Sequence, residues 1–304
     1  MTQPVKVHPL VSPWGRFGLN SYFIDSEEPA IVDTGISTSP LEGMAPALEK
    51  IGRRIEDVKW ILLTHGHIDH LGGAFALWEL TGRRAQVVLH RADAKLLESR
   101  EAHVDIYREV RAKYLKNPNA IDEQTKVANF AISGEMSPTM VVHGGEKISL
   151  GGGITVSVHS IPGHTAGSVA YVIEGQNDVF VGDAVQVHGA ANGFPGYEVA
   201  DDYRDSLEYL AEKIRPNRLF LGHPYRNSKG EPYPVELDAH TAATALAESI
   251  EIEAKIRKAT REFEPKETNS PYSPYEAIAN AVGYTGDPTL EPSPFFTTVH
   301  GYYN

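Results

Sequence analysis

Short apolar runs separated by turn residues fill most of the chain up to about residue 223. Phe17 to Ile24 and Ala30 to Asp33 predict the two strands of a hairpin, Val58 to Leu63 and Gln86 to Leu89 two further strands, and Leu41 to Ile51 and Leu71 to Leu80 helices. From Arg91 to Met140 the pattern turns helical and charged, broken at Lys116-Asn117-Pro118-Asn119 and again between Ser133 and Pro138. That is longer than an ordinary connection, so the spacing predicts a helical insertion near the mouth of the site.

Strands resume at Ile148 to Leu150, and Gly151-Gly152-Gly153 turns the chain into Ile154 to His159. This glycine run lacks the lysine and the following helix of a phosphate-binding loop. Val169 to Ile173, Val179 to Val181 and Leu219 to Leu221 read as strands, and Asp202 to Ile214 as a helix. Strand-rich halves alternating with helices predict an α/β (α+β) fold in which two mixed sheets form a sandwich covered by helices on both outer faces. Val235 to Phe263 and Tyr275 to Val282 predict a helical extension over residues 235–304 of a single domain spanning 1–304. The extension ends in a tail carrying Phe295, Phe296, Tyr302 and Tyr303. So much aromatic area on a terminus implies docking, either on its own domain or a second subunit, which would make a homodimer, or along a substrate pocket.

The chemistry lies where predicted strands end. Thr64-His65-Gly66-His67-Ile68-Asp69-His70 connects the strand ending at Leu63 to the next helix, and alternation along an extended stretch would point His65, His67 and Asp69 the same way. His164, Asp183 and His223 each follow a later apolar run or its turn. Imidazole and carboxylate are the ligands of zinc and similar divalent ions, and so many in one place would be costly to hold without a cation. One ion cannot easily use them all, so the set reads as a two-metal hydrolytic site.

Composition narrows the picture. With 304 residues, 41% of them hydrophobic, the chain can bury a large core. No apolar stretch is long enough to cross a bilayer and Met1 to Lys6 shows no signal-peptide core, so cytoplasmic residence without a membrane partner is expected. There is no cysteine, which removes thiolate ligands. A formal charge of −12 argues against a nucleic-acid partner and for a small-molecule substrate.

With these residues the chain resembles the metallo-β-lactamase-fold hydrolase superfamily from about Asn20 to His223, the block His65-His67-Asp69-His70 being the most specific part of the match. The resemblance implies an αββα sandwich. It also implies that His65, His67 and His164 hold one metal, that Asp69, His70 and His223 hold the other, and that Asp183 bridges them. Asp33, in Ile31-Val32-Asp33-Thr34-Gly35, would orient a ligand histidine from behind, or else simply form a turn. β-Lactamase subclasses with a cysteine at the second metal cannot be matched, and the remaining subclass lacks an aspartate such as Asp183, so the family name says little about substrate.

Between Asp183 and the next helix, Gln186, His188, Asn192, Phe194 and Tyr197 are candidates to border the site. This segment, with Asp202, Tyr203, Ser206 and Leu207, is similar to the branch containing the thioesterase-like enzyme of alkylquinolone biosynthesis and, more distantly, glyoxalase II. Gln186 stands where the lactonase branch commonly has a tyrosine, which counts against an acyl-homoserine lactone. Such a site implies hydrolysis of an ester, thioester or lactone of a moderately apolar substrate, with hydroxide supplied by two divalent ions and Asp69 relaying a proton to the leaving group. Zinc is the expected metal, with manganese or iron as alternatives. A phosphodiesterase or nuclease, and iron-based redox or oxygen chemistry, are the competing readings. The helical insertion and Phe295 and Phe296 are expected to shape the pocket.

Overall fold

Strand order in space follows strand order in the chain. The computed structural model describes residues 4–15, 17–190, 193–289 and 293–303. One six-stranded sheet runs β1 (Lys6–Trp14), β2 (Phe17–Asp25), β3 (Ala30–Val32), β4 (Trp60–Leu62), β5 (Gln86–His90) and β6 (Met140–Val142), antiparallel as far as β3 and parallel from there on. The other runs β7 (Lys147–Ser149), β8 (Thr155–Ser160), β9 (Val169–Ile173), β10 (Asp178–Gly182), β11 (Arg218–Leu221) and β12 (Glu236–Asp238); only β10 and β11 are parallel neighbours. Both sheets are therefore mixed, as the sequence implies.

The unbroken apolar runs are strands buried on both faces. Val32, Leu62 and Val88 point from the first sheet into the space between the sheets, where they meet Tyr171, Phe180 and Phe220 of the second. Phe180 and Phe220 stack at 4.6 Å, and the Tyr22 ring packs on both. Burying each such ring stabilises the fold by roughly 1.5–3 kcal/mol. The alternate residues Ile31, Ile61 and Val87 face outward under α1 (Ala45–Lys50), α2 (Ile68–Leu71), α3 (Ala74–Leu80), α4 (Ala94–Glu98), α5 (Arg100–Glu109) and α6 (Ala120–Ala131). Val179, Leu219 and Leu221 do the same under α7 (Ala200–Tyr209) and α8 (Ala239–Glu262). The result is the αββα sandwich.

Several elements depart from the sequence pattern for identifiable reasons. β1 carries Pro9 and Pro13, which hide its strand character, and it lies at a sheet edge where a missing amide is tolerated. The segment 91–140 is the crossover between parallel neighbours β5 and β6, a connection that the topology itself requires. It ends in strand, because Met140 opens β6. Helix α8 starts at Ala239 because the Asp238 carboxylate caps it by accepting from the Thr241 amide at 2.8 Å, leaving Glu236–Asp238 to form β12. The expected helix over Leu71–Leu80 is broken at Gly72-Gly73, where a Cβ on Gly73 would stand 2.3 Å from the Thr34 carbonyl oxygen. α9 (Glu276–Val282) and α10 (Phe295–His300) close the C-terminal extension against α8 around Tyr275, Ile278, Phe295 and Phe296. No helix among the described residues is long and apolar enough to cross a membrane.

Candidate metal centre

Parallel strands place their C-terminal ends on one edge of a sheet, and that is where the candidate ligands gather. Asp33 follows β3, His65 and His67 follow β4, His164 follows β8, Asp183 follows β10 and His223 follows β11. The two sheets nearly touch there. A Cβ on Gly182 would lie 2.3 Å from the Thr64 hydroxyl oxygen, and its φ is +50°, so glycine alone lets Asp183 reach the histidine block.

The block is not extended throughout, contrary to the alternation expected for it. His67 has extended backbone, but its carbonyl accepts from the His70 and Leu71 amides and starts α2, so Asp69 and His70 sit on a helical turn. Asp69 thereby turns to His223, with its Oδ2 3.2 Å from His223 Nε2. His70 points between Asp33 and Asp183.

The ligand atoms form three overlapping groups, each within 4.8 Å: His65, His67 and His164; His65, His70 and Asp183; Asp69, His70 and His223. Asp183 joins the outer two, with Oδ1 3.2 Å from His70 Nε2 and Oδ2 3.7 Å from His164 Nε2 and 3.5 Å from His223 Nε2. Hydrogen bonds behind the rings decide which nitrogens face inward. His164 Nδ1 donates to the Gly196 carbonyl at 2.7 Å, His223 Nδ1 to the Gly18 carbonyl at 2.9 Å and His70 Nδ1 to Asp33 Oδ2 at 2.9 Å. The Thr64 hydroxyl gives its proton to Asp33 Oδ2 at 2.8 Å, so it accepts from His65 Nδ1 at 3.1 Å. In their neutral forms, which metal binding requires, all four rings present bare Nε2 lone pairs inward.

Those lone pairs meet head-on. His65 Nε2 is 3.2 Å from His164 Nε2, and His70 Nε2 is 3.2 Å from His223 Nε2. Asp183 Oδ1 is buried beside them without a hydrogen-bond partner. Lone pairs and a carboxylate converging on one buried space repel one another unless a cation lies between them, so the donor set fits a borderline divalent metal.

The electrostatics of the metal-free chain reflect the same crowding. Burial and the neighbouring His70, His164 and His67 push the His65 pKa well below its usual value, and burial with His67 brings His164 down to about 4. Burial also opposes charge on His70, but Asp183, Asp33 and Asp69 outweigh it and raise its pKa. For Asp183, burial favours the neutral acid, yet His223 and His70 prevail and hold the carboxylate well below its usual range.

Support from outside the ligand set is only partly visible in sequence. Asp33 is placed as expected, and it braces two histidines, His70 directly and His65 through Thr64. Gln186 does border the site, as a brace. It clasps Gly196, accepting from its amide at 2.6 Å and donating to its carbonyl at 2.9 Å, and donates also to the Asp183 carbonyl at 3.0 Å. The supporting roles of Thr64, Gly196, Glu198 and Asp93 carry no such signal in the pattern of apolar runs. Glu198 reaches to 3.8 Å from His67 Nε2. Asp93 is buried and ties the two histidine loops together, accepting from the amides of Gly66 (2.7 Å) and Gly167 (2.9 Å) and from the Thr165 hydroxyl (2.7 Å). Like Asp33 it is an acidic residue just past a strand, the one feature that could have marked it.

A cleft of about 580 Å³ opens beside His67, between α4–α5 and the Thr165-Ala166 loop, with Glu198 at its inner edge. Its lining corrects the expected pocket. Phe295 and Phe296 are fully buried in the C-terminal core, where Phe194 packs edge-on against Phe295. Tyr197 is buried in a stack with Tyr203, and His188 faces the charges of Glu248 and Lys255. None of these lines the cleft, because the aromatic area satisfies itself by packing with α8 and α9. Asn192 lies outside the described residues.

The sequence model of the metallo-beta-lactamase superfamily matches residues 14–223, a span containing every candidate ligand. The chain belongs to that superfamily. A metallo-beta-lactamase family protein from Thermus thermophilus superposes with a TM-score of 0.70 at 19% identity, over 98% of this chain and 92% of that one. In sequence, the chain is 27% identical to the protein YobT of Bacillus subtilis over 68% of its own length and 83% of the relative's. It is also 37% identical to a hydroxyacylglutathione hydrolase of Halorhodospira halophila, over 34% of this chain and 40% of that enzyme. The matches to the hydroxyacylglutathione hydrolases thus span less than two thirds of those proteins. Membership in the metallo-beta-lactamase superfamily, with hydrolases among the relatives, supports a metal-dependent hydrolase.

Proposed function

We propose that the chain is a dinuclear metal-dependent hydrolase that cleaves an ester, thioester or lactone bond in a small, moderately apolar substrate. His65, His67 and His164 would hold one ion and Asp69, His70 and His223 the other, with Asp183 between them. Zinc suits this set of imidazoles and carboxylates, and manganese or iron would find the same ligands acceptable. The observation that carries the reading is the convergence of four bare imidazole nitrogens on a buried, unpartnered carboxylate oxygen. Two divalent ions held there would lower the pKa of a shared water toward neutrality and polarise a carbonyl oxygen.

The protein's own residues supply the rest. The Asp69 carboxylate stands at the rim of the ligand set, more exposed than Asp183, where it can take a proton from the attacking water and deliver it to the leaving group. Leu96, Ala102 and Ile106 give the cleft apolar surface, and its volume suits a small molecule rather than a polymer. Its charged lining is Asp93, Glu101, Asp105 and Glu198 against Lys95 alone, which favours an acyl substrate over a polyanionic phosphodiester. The hydroxyacylglutathione hydrolases among the relatives favour a thioester within that class.

The test is a hydrolysis panel of thioesters, lactones, β-lactams and phosphodiesters on protein of measured metal content, run on the wild type and on Asp69→Asn. Acyl substrates should be the ones turned over, and Asp69→Asn should lower kcat by about 10²-fold or more with the metals and Tm retained. Preferential phosphodiester cleavage, or full activity in metal-loaded Asp69→Asn, contradicts the reading.

A further inference from the structure

We infer that the C-terminal helix α10 is a positioning element of the metal centre, acting through Thr298 on the ligand His164, an inference that rests on the metal reading above. Thr298 is fully buried. Its hydroxyl donates to the Pro195 carbonyl at 2.8 Å and accepts from the Tyr197 amide at 3.2 Å, so one side chain grips the backbone on both sides of Gly196. Gly196 is the residue whose carbonyl receives the His164 Nδ1 proton. Gln186 holds the same residue from the inside. Thr298 therefore supplies the outer half of a clamp whose inner half touches the ligand.

The rest of α10 follows the same strip of chain with no space to spare. A Cβ on Gly196 would stand 2.9 Å from Pro294 Cβ, and a Cβ on Gly301 would stand 2.3 Å from the Glu198 carbonyl oxygen. Beyond the helix, the Tyr302 and Tyr197 hydroxyls are 2.6 Å apart. On its other side the strip is tied to the His164 loop, since the Glu198 and Val199 amides donate to the Gly163 carbonyl at 2.7 and 3.1 Å. Two of the three ligands in the first group, His164 through Gly196 and His67 through Glu198, thus lean on a segment braced by the tail. The second group leans on Asp33 and the Gly18 carbonyl instead.

A hydrogen-bond partner behind a ligating histidine fixes its tautomer and its aim, and losing such a partner costs about 10–100-fold in metal affinity. Thr298→Val keeps the shape of the side chain and removes both hydrogen bonds; Thr298→Ser restores the hydroxyl. Stepwise cobalt titration of the metal-free full chain, followed by calorimetry and by ¹⁵N NMR of the histidine rings, reads the two steps separately, the His164 signals marking the first group. Thr298→Val should weaken that step by about tenfold or more while the other stays within about twofold, and Thr298→Ser should restore wild-type affinity. In the metal-free protein, His164 should carry its proton on Nδ1 in the wild type and show mixed tautomers in Thr298→Val.

Unchanged affinity and tautomer in Thr298→Val overturn the inference, as does a parallel loss at both steps in proportion to a fall in Tm. A wild type that takes up fewer than two ions contradicts the functional reading itself, and the tautomer measurement then decides the role of Thr298 alone.

Discussion

The two ligand groups use similar donors and differ in what stands behind them. His70 and His223 are aimed by the sandwich core: Asp33 follows β3, and the Gly18 carbonyl belongs to β2. His67 and His164 are aimed by the strip from Pro195 to Val199, which lies outside both sheets and is pressed into place by Gln186 and α10. A ligand backed by a central strand is as rigid as the core, because moving it would disturb close-packed side chains on both faces. A ligand backed by a loop is as rigid as whatever holds the loop. The first group is thus the adjustable half of the candidate centre, and the second is its fixed half.

The largest effect should come from the residue that the two halves share. Asp183→Ala removes the carboxylate touching His70, His164 and His223, so metal content should drop below two ions per chain and turnover by at least about 10³-fold, checked by elemental analysis and thioester hydrolysis. Retention of two ions would show that the halves are independent. Next comes Asp33→Asn, which weakens the support of His70 and, through Thr64, of His65. Because it reaches both groups, both metal steps should weaken by about 10–100-fold, and a loss confined to one step would mean that Thr64 does not transmit. The smallest effect belongs to Gln186→Leu, which releases Gly196 from the inner side while Thr298 still holds its neighbours. It should weaken the first step alone, by about tenfold, in the same titration. Equal losses at both steps in this variant would erase the distinction between a fixed and an adjustable half.

Legibility follows the same division. The strand ends carrying His65, His164, Asp183 and His223 are readable because unbroken apolar runs and ligand residue types are local signals. β1 is hidden by two prolines that an edge position tolerates, and the start of α2 inside the ligand block is hidden because His67, Asp69 and His70 read equally well as extended chain. The aromatic tail is legible as a docked segment. Its address is not, since Phe295 and Phe296 satisfy a pocket wall and a core cluster equally well by composition.

By itself the sequence determined the layers, through which residues are apolar on which face, and named the candidate ligands, through histidine and aspartate at strand ends and the family resemblance they carry. Only the tertiary structure decided which nitrogen of each ring faces the centre and what holds it there. Those choices are made by contacts such as Thr298 to Pro195, 103 residues apart, and Asp33 to His70, 37 apart. A hydrogen bond between distant residues leaves no period or spacing in the chain, because packing of the whole sandwich and its extension brings the partners together.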